Sequence, residues 1–262
     1  MAPKSQPKKI VQAQDKGTPS TNGPPKQMTD YTSFESEKLS ISPVYKTKYN
    51  AQAKLKYDGD EFLLRTPFMK RCFLNKFESG HAQMTFSLDY EGPSFHDTLK
   101  EIGSVVIQNL TDRLVEQPID NKRKHEDYTD PSALRAELEE QLKPMIIADN
   151  PDYPNKLRSE IAVVNPDTKK LTPAADCKIF LTELDGKSKL IDLREMSDYL
   201  EDRQFFYQVR AVLHFTHVYM GNKGSKDIGI KHCVKALQLK QLDMGDRQAP
   251  EPLALDVEQF LT

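Results

Sequence analysis

The sequence predicts an α+β fold: a mainly antiparallel, barrel-like sheet with an inserted pair of helices and a long C-terminal β-hairpin. Strand-like segments occupy the first part of the chain, helical segments follow at about 94–150, and strand-like segments return after them. Strands grouped in this way are typical of an antiparallel sheet, because a parallel sheet would alternate single strands with helices. The five or more strands are unevenly spaced, which favours a small barrel.

One domain is expected, with a tail at each end. Residues 1–38 are rich in Lys, Pro, Gln, Ser and Thr and have almost no apolar side chains, so they cannot bury enough surface to become ordered. We expect a disordered basic arm there, a domain at 39–242 and an acidic C-terminal tail at 243–262. The tail has five acidic residues against one arginine: Asp243, Asp246, Glu251, Asp256 and Glu258 against Arg247.

The segment YKTKYNAQAKLKY, residues 45–57, has the alternation of a strand with two different faces. One face is apolar and aromatic and includes Tyr45 and Tyr49. The other face carries two amides and four lysines, which are Lys46, Lys48, Lys54 and Lys56. A sheet often has one solvated face, and lysines on an edge strand oppose aggregation, so the lysine row alone does not indicate a ligand.

Further strands are predicted before the helices. After the turn at 58–60, the segment EFLLRTPFMKRCFLNKF contains Pro67, which cannot donate a ladder hydrogen bond and predicts an edge strand or a bend. The segment HAQMTFSLDY, residues 81–90, alternates apolar and polar side chains as a half-buried strand does.

Apolar side chains then recur at helical spacing. Phe95, Leu99 and Ile102 begin a stripe that predicts an amphipathic helix ending at about Val115. A second helix is predicted from Pro131, because proline is favoured at the first helical position. Both apolar stripes are expected to face the core.

The rest of the chain returns to strands. LRSEIAVV is predicted as a strand, Asp185-Gly186 as a hairpin turn, and REMSDYLED as a short helix or a loop. The segments QFFYQVRAVLHFTHVYM and KDIGIKHCVKALQLKQL predict a long hairpin with its turn at 221–224.

Composition predicts a soluble intracellular protein. The net charge is −2, the hydrophobic content is 37% and the mean hydropathy is −0.65. Three cysteines without a CxxC pair favour a reducing compartment and no disulfide framework: Cys72, Cys177 and Cys233. No apolar run reaches the ~18 residues of a membrane span, and the first residues contain no apolar signal-peptide segment.

No motif in the sequence indicates catalysis, a cofactor or a metal. GxxxxGK[ST], GxGxxG after a strand, HExxH and GxSxG are all absent. GNKGS, residues 221–225, precedes a strand, whereas a phosphate loop precedes a helix. The residues His214, His217, His232 and Cys233 lack the tight spacing of a structural zinc site, so we expect no metal there.

Positive charge is nevertheless concentrated in the predicted strands, whereas acidic residues gather in the helices and the tail. Proteins that bind single strands without sequence preference combine a positive groove with aromatic rings on which bases stack, and OB-type barrels provide such a groove. The barrel is therefore predicted to be OB-like. The candidate phosphate-binding residues are Lys46, Lys48, Lys54, Lys56, Arg65, Lys70, Arg71, Lys76, Arg210, Lys231 and Lys235. The candidate stacking residues, each of which could instead be core, are Tyr45, Tyr49, Phe68, Phe73 and Tyr207.

The order of these elements resembles one family. The segments RTP (65–67), QMTFSLDY (83–90) and FHDTLKEIGSVVIQNL (95–110), with the hairpin VRAVLHFTHVYM…KHCVKALQL, are similar to the OB-fold single-stranded DNA-binding proteins of nucleocytoplasmic large DNA viruses. That family is itself similar to podophage replication proteins of the same class. The resemblance covers about Tyr45 to Leu242. It implies cooperative, sequence-independent coating of single-stranded DNA in replication, recombination or repair, in the host nucleus or at a cytoplasmic viral replication site.

The resemblance also implies an acidic C-terminal tail that occupies the groove or docks replication proteins. Phe260 stands at the aromatic position of that tail, with Asp256 and Glu258 beside it. The chain departs from the pattern because Leu261-Thr262 follow the aromatic residue and the tail is only modestly acidic. There is no tryptophan, so stacking is left to tyrosine and phenylalanine.

Three functions are compatible with the sequence. The first is a single-stranded DNA-binding protein that catalyses no reaction and has DNA and replication proteins as partners. The second is a viral structural or scaffold protein whose β domain binds protein. The third is an RNA-binding OB-fold protein. No membrane partner is expected, and the sequence leaves open a homo-oligomer and the choice between DNA and RNA.

Overall fold

The computed structural model describes residues 28–48, 50–70, 72–76, 81–88, 93–119, 128–148, 152, 154–164, 171–173, 177–201, 206–221 and 228–242. Within these ranges the chain forms a 14-stranded sheet and three α-helices. The helices are α1 (Pro93–Glu116), α2 (Pro131–Gln141) and α3 (Leu193–Glu201). The strands are β1 (Thr29–Asp30), β2 (Leu39–Ile41), β3 (Tyr45–Lys46), β4 (Asn50–Tyr57), β5 (Asp60–Arg65), β6 (Cys72–Lys76), β7 (His81–Ser87), β8 (Ile146–Ile147), β9 (Lys156–Val164), β10 (Leu171–Pro173), β11 (Lys178–Thr182), β12 (Ser188–Ile191), β13 (Phe206–Gly221) and β14 (Ile228–Leu242).

The α+β class with a large, mainly antiparallel sheet is confirmed. The main path through the sheet is β1-β5-β4-β13-β14-β9-β7-β6, and β14 also pairs with β11. All named pairings are antiparallel except β1–β5, β9–β14 and β11–β14. Strand β5 pairs with β13 as well as with β4, but the pairings among the described residues do not close the whole sheet. Barrel closure and OB-like topology therefore stay predictions.

The main core lies between one face of the sheet and helix α1. The predicted stripe of α1 is buried, with Phe95, Leu99 and Ile102 at most 1% exposed. It belongs to the same apolar cluster as Leu55 of β4 and Phe86 of β7. Burial of each such side chain contributes about 1.5–3 kcal/mol relative to exposure. The opposite face of the sheet therefore points away from α1.

The second helix begins as the sequence predicts. Pro131 occupies the first turn of α2, and the Asp130 carboxylate accepts hydrogen bonds from the backbone N–H groups of Ser132 and Ala133, at 3.0 and 3.1 Å. Such a cap satisfies donors that the helix itself leaves without acceptors. Among the described helices, none is both long and apolar enough to cross a membrane.

The folded part of the chain starts earlier than the sequence indicates. Strand β1 pairs with β5, and the ring of Phe34 stacks on that of Phe62 with centroids 5.9 Å apart. The Tyr57 hydroxyl accepts a hydrogen bond from the backbone N–H of Glu35 at 2.9 Å. Residues 28–38 thus belong to the domain and not to the arm, because Tyr31 and Phe34 are partly buried and pack against the core. The rest of the predicted arm, 1–27, lies outside the described residues, as does the predicted tail at 243–262.

The lysine-rich segment is a hairpin and not one continuous strand, which corrects the prediction. The Thr47 N–H donates to the Asn50 carbonyl oxygen at 2.7 Å, and the Thr47 hydroxyl donates to the Asn50 side-chain oxygen at 2.7 Å. These bonds reverse the chain between β3 and β4. As a result, Tyr45 lies opposite Gln52 on the lysine-bearing side of β4, although simple alternation places it on the apolar side.

The predicted strand through Pro67 is interrupted. Strand β5 ends at Arg65, and the Thr66 hydroxyl accepts a hydrogen bond from the Ala211 N–H at 2.9 Å. Met69 then forms an isolated bridge with Val209 before β6 begins. The break around Pro67 agrees with the missing donor of proline.

Candidate nucleic-acid interface

The side of the sheet turned away from α1, carried by β4, β13, β14, β9, β7 and β6, is called the polar face. Strand register determines its members, because paired residues on neighbouring strands point to the same side. Lys54 of β4 is opposite His217 of β13, which is opposite Lys231 of β14. At a strand spacing of about 4.8 Å, the six strands span roughly 24 Å. Two lysines far apart in the sequence thus lie in one row across three strands, with His217 between them.

Aromatic side chains form a second row beside the first. Tyr45, Gln52 and Tyr219 are cross-strand neighbours, and Tyr219 is opposite Gly229. The Tyr45 hydroxyl donates to the Gln52 side-chain oxygen at 3.2 Å. A Cβ atom at Gly229 would lie only 2.4 Å from Cζ of Tyr219, so the ring lies directly over the glycine backbone. The missing side chain lets the tyrosine lie flat on the strand.

Strand β9 extends the polar face beyond β14. Glu160 is opposite Cys233 of β14, and Arg158 and Lys156 follow on the same side of β9 because side chains alternate. Arg158 is exposed and Lys156 is half-buried. The Glu160 carboxylate forms an ion pair with the Lys231 ammonium. Arg158 and Lys156 were missed by sequence reasoning, although the alternation KLRSE at the start of β9 contains the signal.

The edge of the polar face has an exposed phenylalanine. Thr85 of β7 is opposite both Arg158 of β9 and Phe73 of β6. Phe73 is 58% exposed and Tyr45 is 41% exposed, so both rings are accessible to a ligand. Tyr219 is half-buried. One face of the sheet therefore combines basic and aromatic side chains.

The other predicted cations of β3 to β5 lie outside the row formed by Lys54, His217 and Lys231. Lys46 is exposed but opposite Ala51, and therefore points to the other side of the sheet edge, and Lys48 is exposed in the turn. Lys56 is exposed two residues after Lys54 on the same side of β4, so it belongs to the polar face, and it is opposite Glu61. Arg65 donates through Nε to the Asp30 carboxylate at 2.8 Å. Arg65 is thus engaged by a carboxylate within the domain.

The carboxyl group that pairs with Arg65 is stabilised in its charged form. Burial acts to raise the pKa of Asp30, but hydrogen bonds from Thr32 and Arg65 outweigh burial and hold that pKa below its ordinary value. The ion pair joins β1 to β5 and is a structural contact of the N-terminal segment.

Two predicted stacking residues are buried. The guanidinium carbon of Arg210 lies 4.1 Å from the ring centroid of Phe68, a cation–π contact in which both side chains are buried. Tyr207 is also buried and packs edge-on against Tyr199, with centroids 5.8 Å apart. A base cannot stack on Phe68 or Tyr207 in this arrangement, because tertiary packing already covers them.

Several predicted residues lie at other places or outside the description. Lys235 is half-buried and is the extra residue where the β13–β14 register shifts, and Lys70 is exposed after the Met69 bridge. Lys76 lies in β6, but its side chain is outside the described part. The other predicted site residues outside the described residues are Tyr49, Arg71, Asp256, Glu258 and Phe260.

The histidines of the long hairpin divide between the two faces of the sheet. His217 lies on the polar face, where burial and the positive charge of Lys231 lower its pKa. His232 pairs with Phe215 on the other face and stacks on its ring at 5.4 Å. Within the ranges that the structure describes, no three His, Cys, Asp or Glu side chains are grouped to hold a metal ion.

No protein-family model and no curated protein sequence matches the chain. Among solved structures, the chain is similar to the crystal structure of gp2.5, a single-stranded DNA-binding protein encoded by bacteriophage T7. The sequences are 11% identical, the TM-score is 0.35, and the match covers 73% of this chain and 98% of that chain. A TM-score this low is below that of chains sharing a fold.

Proposed function

We propose that the polar face binds single-stranded DNA through its phosphates and bases, without reading a sequence and without a chemical reaction. The observation that carries the proposal is the row Lys54–His217–Lys231, which lies beside the tyrosine row and is extended on β9 by Arg158. Lysine and arginine bind phosphates, and aromatic rings bind any base through its π-face. The biological role that fits is protection of single strands in replication, recombination or repair.

The shape of the polar face favours a single strand over a duplex. A major groove is about 12 Å wide and admits a helix or a two-stranded ribbon. A sheet face of six strands is roughly 24 Å across and cannot enter it. A duplex also keeps its bases stacked inside, whereas a single strand can present them to Tyr45, Tyr219 and Phe73. Sequence-independent affinity follows, because the rings and charges distinguish no base by hydrogen-bond pattern.

The proposed binding predicts a measurable dependence of affinity on salt concentration. Five cationic side chains of the polar face could contact phosphates: Lys54, Lys56, Lys156, Arg158 and Lys231. Each contact on a single strand contributes about 0.7 to the slope of log affinity against log salt concentration, so the slope reaches at most about −3.5.

The test is fluorescence anisotropy of the full chain with a labelled oligothymidylate of about 15 nucleotides, within the known site sizes of single-strand binders. We expect binding at low salt that weakens steeply as salt is added. Absence of binding at low salt, or binding that is independent of salt, would contradict the proposal. Competition with an RNA oligonucleotide of matched sequence distinguishes the RNA-binding alternative, because only RNA has a 2′-hydroxyl group.

A protein-binding scaffold is the second candidate, and one observation favours it. Leu184 is 57% exposed in the β11–β12 turn and Leu190 is 66% exposed on β12. Two exposed leucines on the same β11–β12 hairpin offer apolar surface to a protein partner. Replacing both leucines with serine separates the candidates: a scaffold loses its partner, whereas binding to single-stranded DNA is unchanged.

A further inference from the structure

We infer that Glu160 is an internal competitor for Lys231 and makes the polar face select polymeric anions over single phosphates. The inference depends on the proposed function, since it concerns the same face and assigns a role to its central carboxylate. Glu160 occupies the middle of β9, opposite Cys233 on one side and Gln83 on the other. Lys231 is two residues before Cys233 on the same side of β14.

The contact between these two side chains is accessible to a ligand. The Lys231 ammonium pairs with the Glu160 carboxylate, and the two side chains are 45% and 22% exposed. A phosphate arriving from solvent can therefore reach the ammonium without a rearrangement of the sheet. The carboxylate occupies the place on Lys231 that a phosphate oxygen would take, and carries the same sign of charge.

Displacement of the carboxylate depends on what else holds the ligand. A single phosphate must compete with a carboxylate that is tethered to the neighbouring strand and so has a high effective concentration. A nucleic-acid chain already held by Lys54 on β4 and by Arg158 on β9 presents its intervening phosphate at Lys231 with a comparable advantage. The carboxylate therefore lowers the affinity for single anions more than it lowers the affinity for a nucleic-acid chain.

The ion pair also changes the expected salt dependence. A lysine neutralised by Glu160 has little counterion to release, so its contact with a phosphate adds less than the usual ~0.7 to the slope. Removing the carboxylate restores that contribution. A purely structural ion pair, which only holds β9 against β14, predicts neither change.

The experiment compares the full-length wild type with Glu160→Gln, Lys231→Gln and the double variant, by anisotropy with oligothymidylate over a salt series. Glu160→Gln is expected to bind roughly two- to fivefold more tightly at low salt, the range of an exposed ion pair, and to steepen the slope by up to about 0.7. Inorganic phosphate is expected to displace the oligonucleotide from Glu160→Gln at a lower concentration than from the wild type. On the Lys231→Gln background, the Glu160 change is expected to have no such effect.

Unchanged or weaker binding by a folded Glu160→Gln protein would overturn the inference, as would an equal gain on the Lys231→Gln background, which would show a general charge effect. If Glu160→Gln fails to fold, Glu160→Asp replaces it, because aspartate keeps the charge but reaches less far toward Lys231. Tighter binding of the oligonucleotide by Glu160→Asp than by the wild type supports the role of Glu160 as a competitor. An affinity equal to that of the wild type overturns it. Failure of the proposed function looks different: the wild type then binds no oligonucleotide, or binds it independently of Lys54.

Discussion

Replacing Lys54 and Arg158 together with glutamine is expected to weaken binding of single-stranded DNA about 25-fold at ~0.1 M salt and to flatten its salt dependence. The two residues are 104 positions apart in the sequence, and the strand order β4-β13-β14-β9 places them on the same face of the sheet. Both are exposed, so the substitution removes charge without opening the core.

The magnitude follows from counterion release. Each phosphate contact on a single strand contributes about 0.7 to the slope of log affinity against log salt concentration. Loss of two contacts reduces the steepness by about 1.4. If this contribution vanishes near ~1 M salt, the loss at ~0.1 M is about 1.4 logarithmic units, or about 25-fold.

The assay is anisotropy with oligothymidylate at several salt concentrations, with melting temperature as a check of folding. The matched control is Lys100→Gln with Lys143→Gln, which removes two exposed charges from α1 and from the segment after α2. We expect the control to bind as the wild type does. Phosphate contact by Lys54 and Arg158 is refuted if the variant keeps the wild-type salt slope, or if the control loses as much affinity.

Three further changes test separate parts of the description. Tyr219→Ala is expected to cost roughly 1–3 kcal/mol of binding free energy with an unchanged salt slope, because it removes a ring and no charge. If anisotropy shows that the slope of log affinity against log salt concentration changes, stacking is contradicted. Asp130→Ala is expected to lower the free energy of unfolding in urea by about 0.5–2 kcal/mol, because the α2 cap is lost; unchanged stability would show the cap to be unimportant. The pKa of Asp30 is lower in the folded protein, so its contribution to stability is present above the unfolded value of about 4 and is lost as pH falls through the folded value. Asp30→Asn is therefore expected to flatten the acid side of the curve of stability against pH, and an unaltered curve would contradict the lowered pKa of Asp30.

The local parts of the fold could be predicted from the sequence. The stripe beginning at Phe95 marks α1 because an amphipathic helix needs only local spacing. The even positions of β4 are solvated as alternation requires, including Lys54 and Lys56. The prediction for Tyr45 was wrong because the Thr47–Asn50 hydrogen bonds turn the chain, and alternation cannot anticipate a turn without glycine or proline.

The candidate site depended on contacts that the sequence does not contain. Nothing in the sequence of β4 indicates that β13 lies beside it, or that β9 follows β14, because strand order is set by packing of the whole sheet. The same limit explains why Phe68, offered as a stacking residue, is covered by Arg210. The sequence alternation predicts that Arg158 is part of a strand. Only the pairing of Arg158 with Thr85 and the order of the neighbouring strands place it on the polar face.

The most direct measurement of the central claim is lysine acetylation footprinting of the full chain, with and without saturating oligothymidylate, read by mass spectrometry. Acetylation reports the accessibility of each amine separately. We predict that Lys54, Lys56, Lys156 and Lys231 are protected together, while Lys100 and Lys143 react as they do without DNA. Protection on the α1 side of the molecule, or none at these four lysines while the oligonucleotide is bound, would contradict the account.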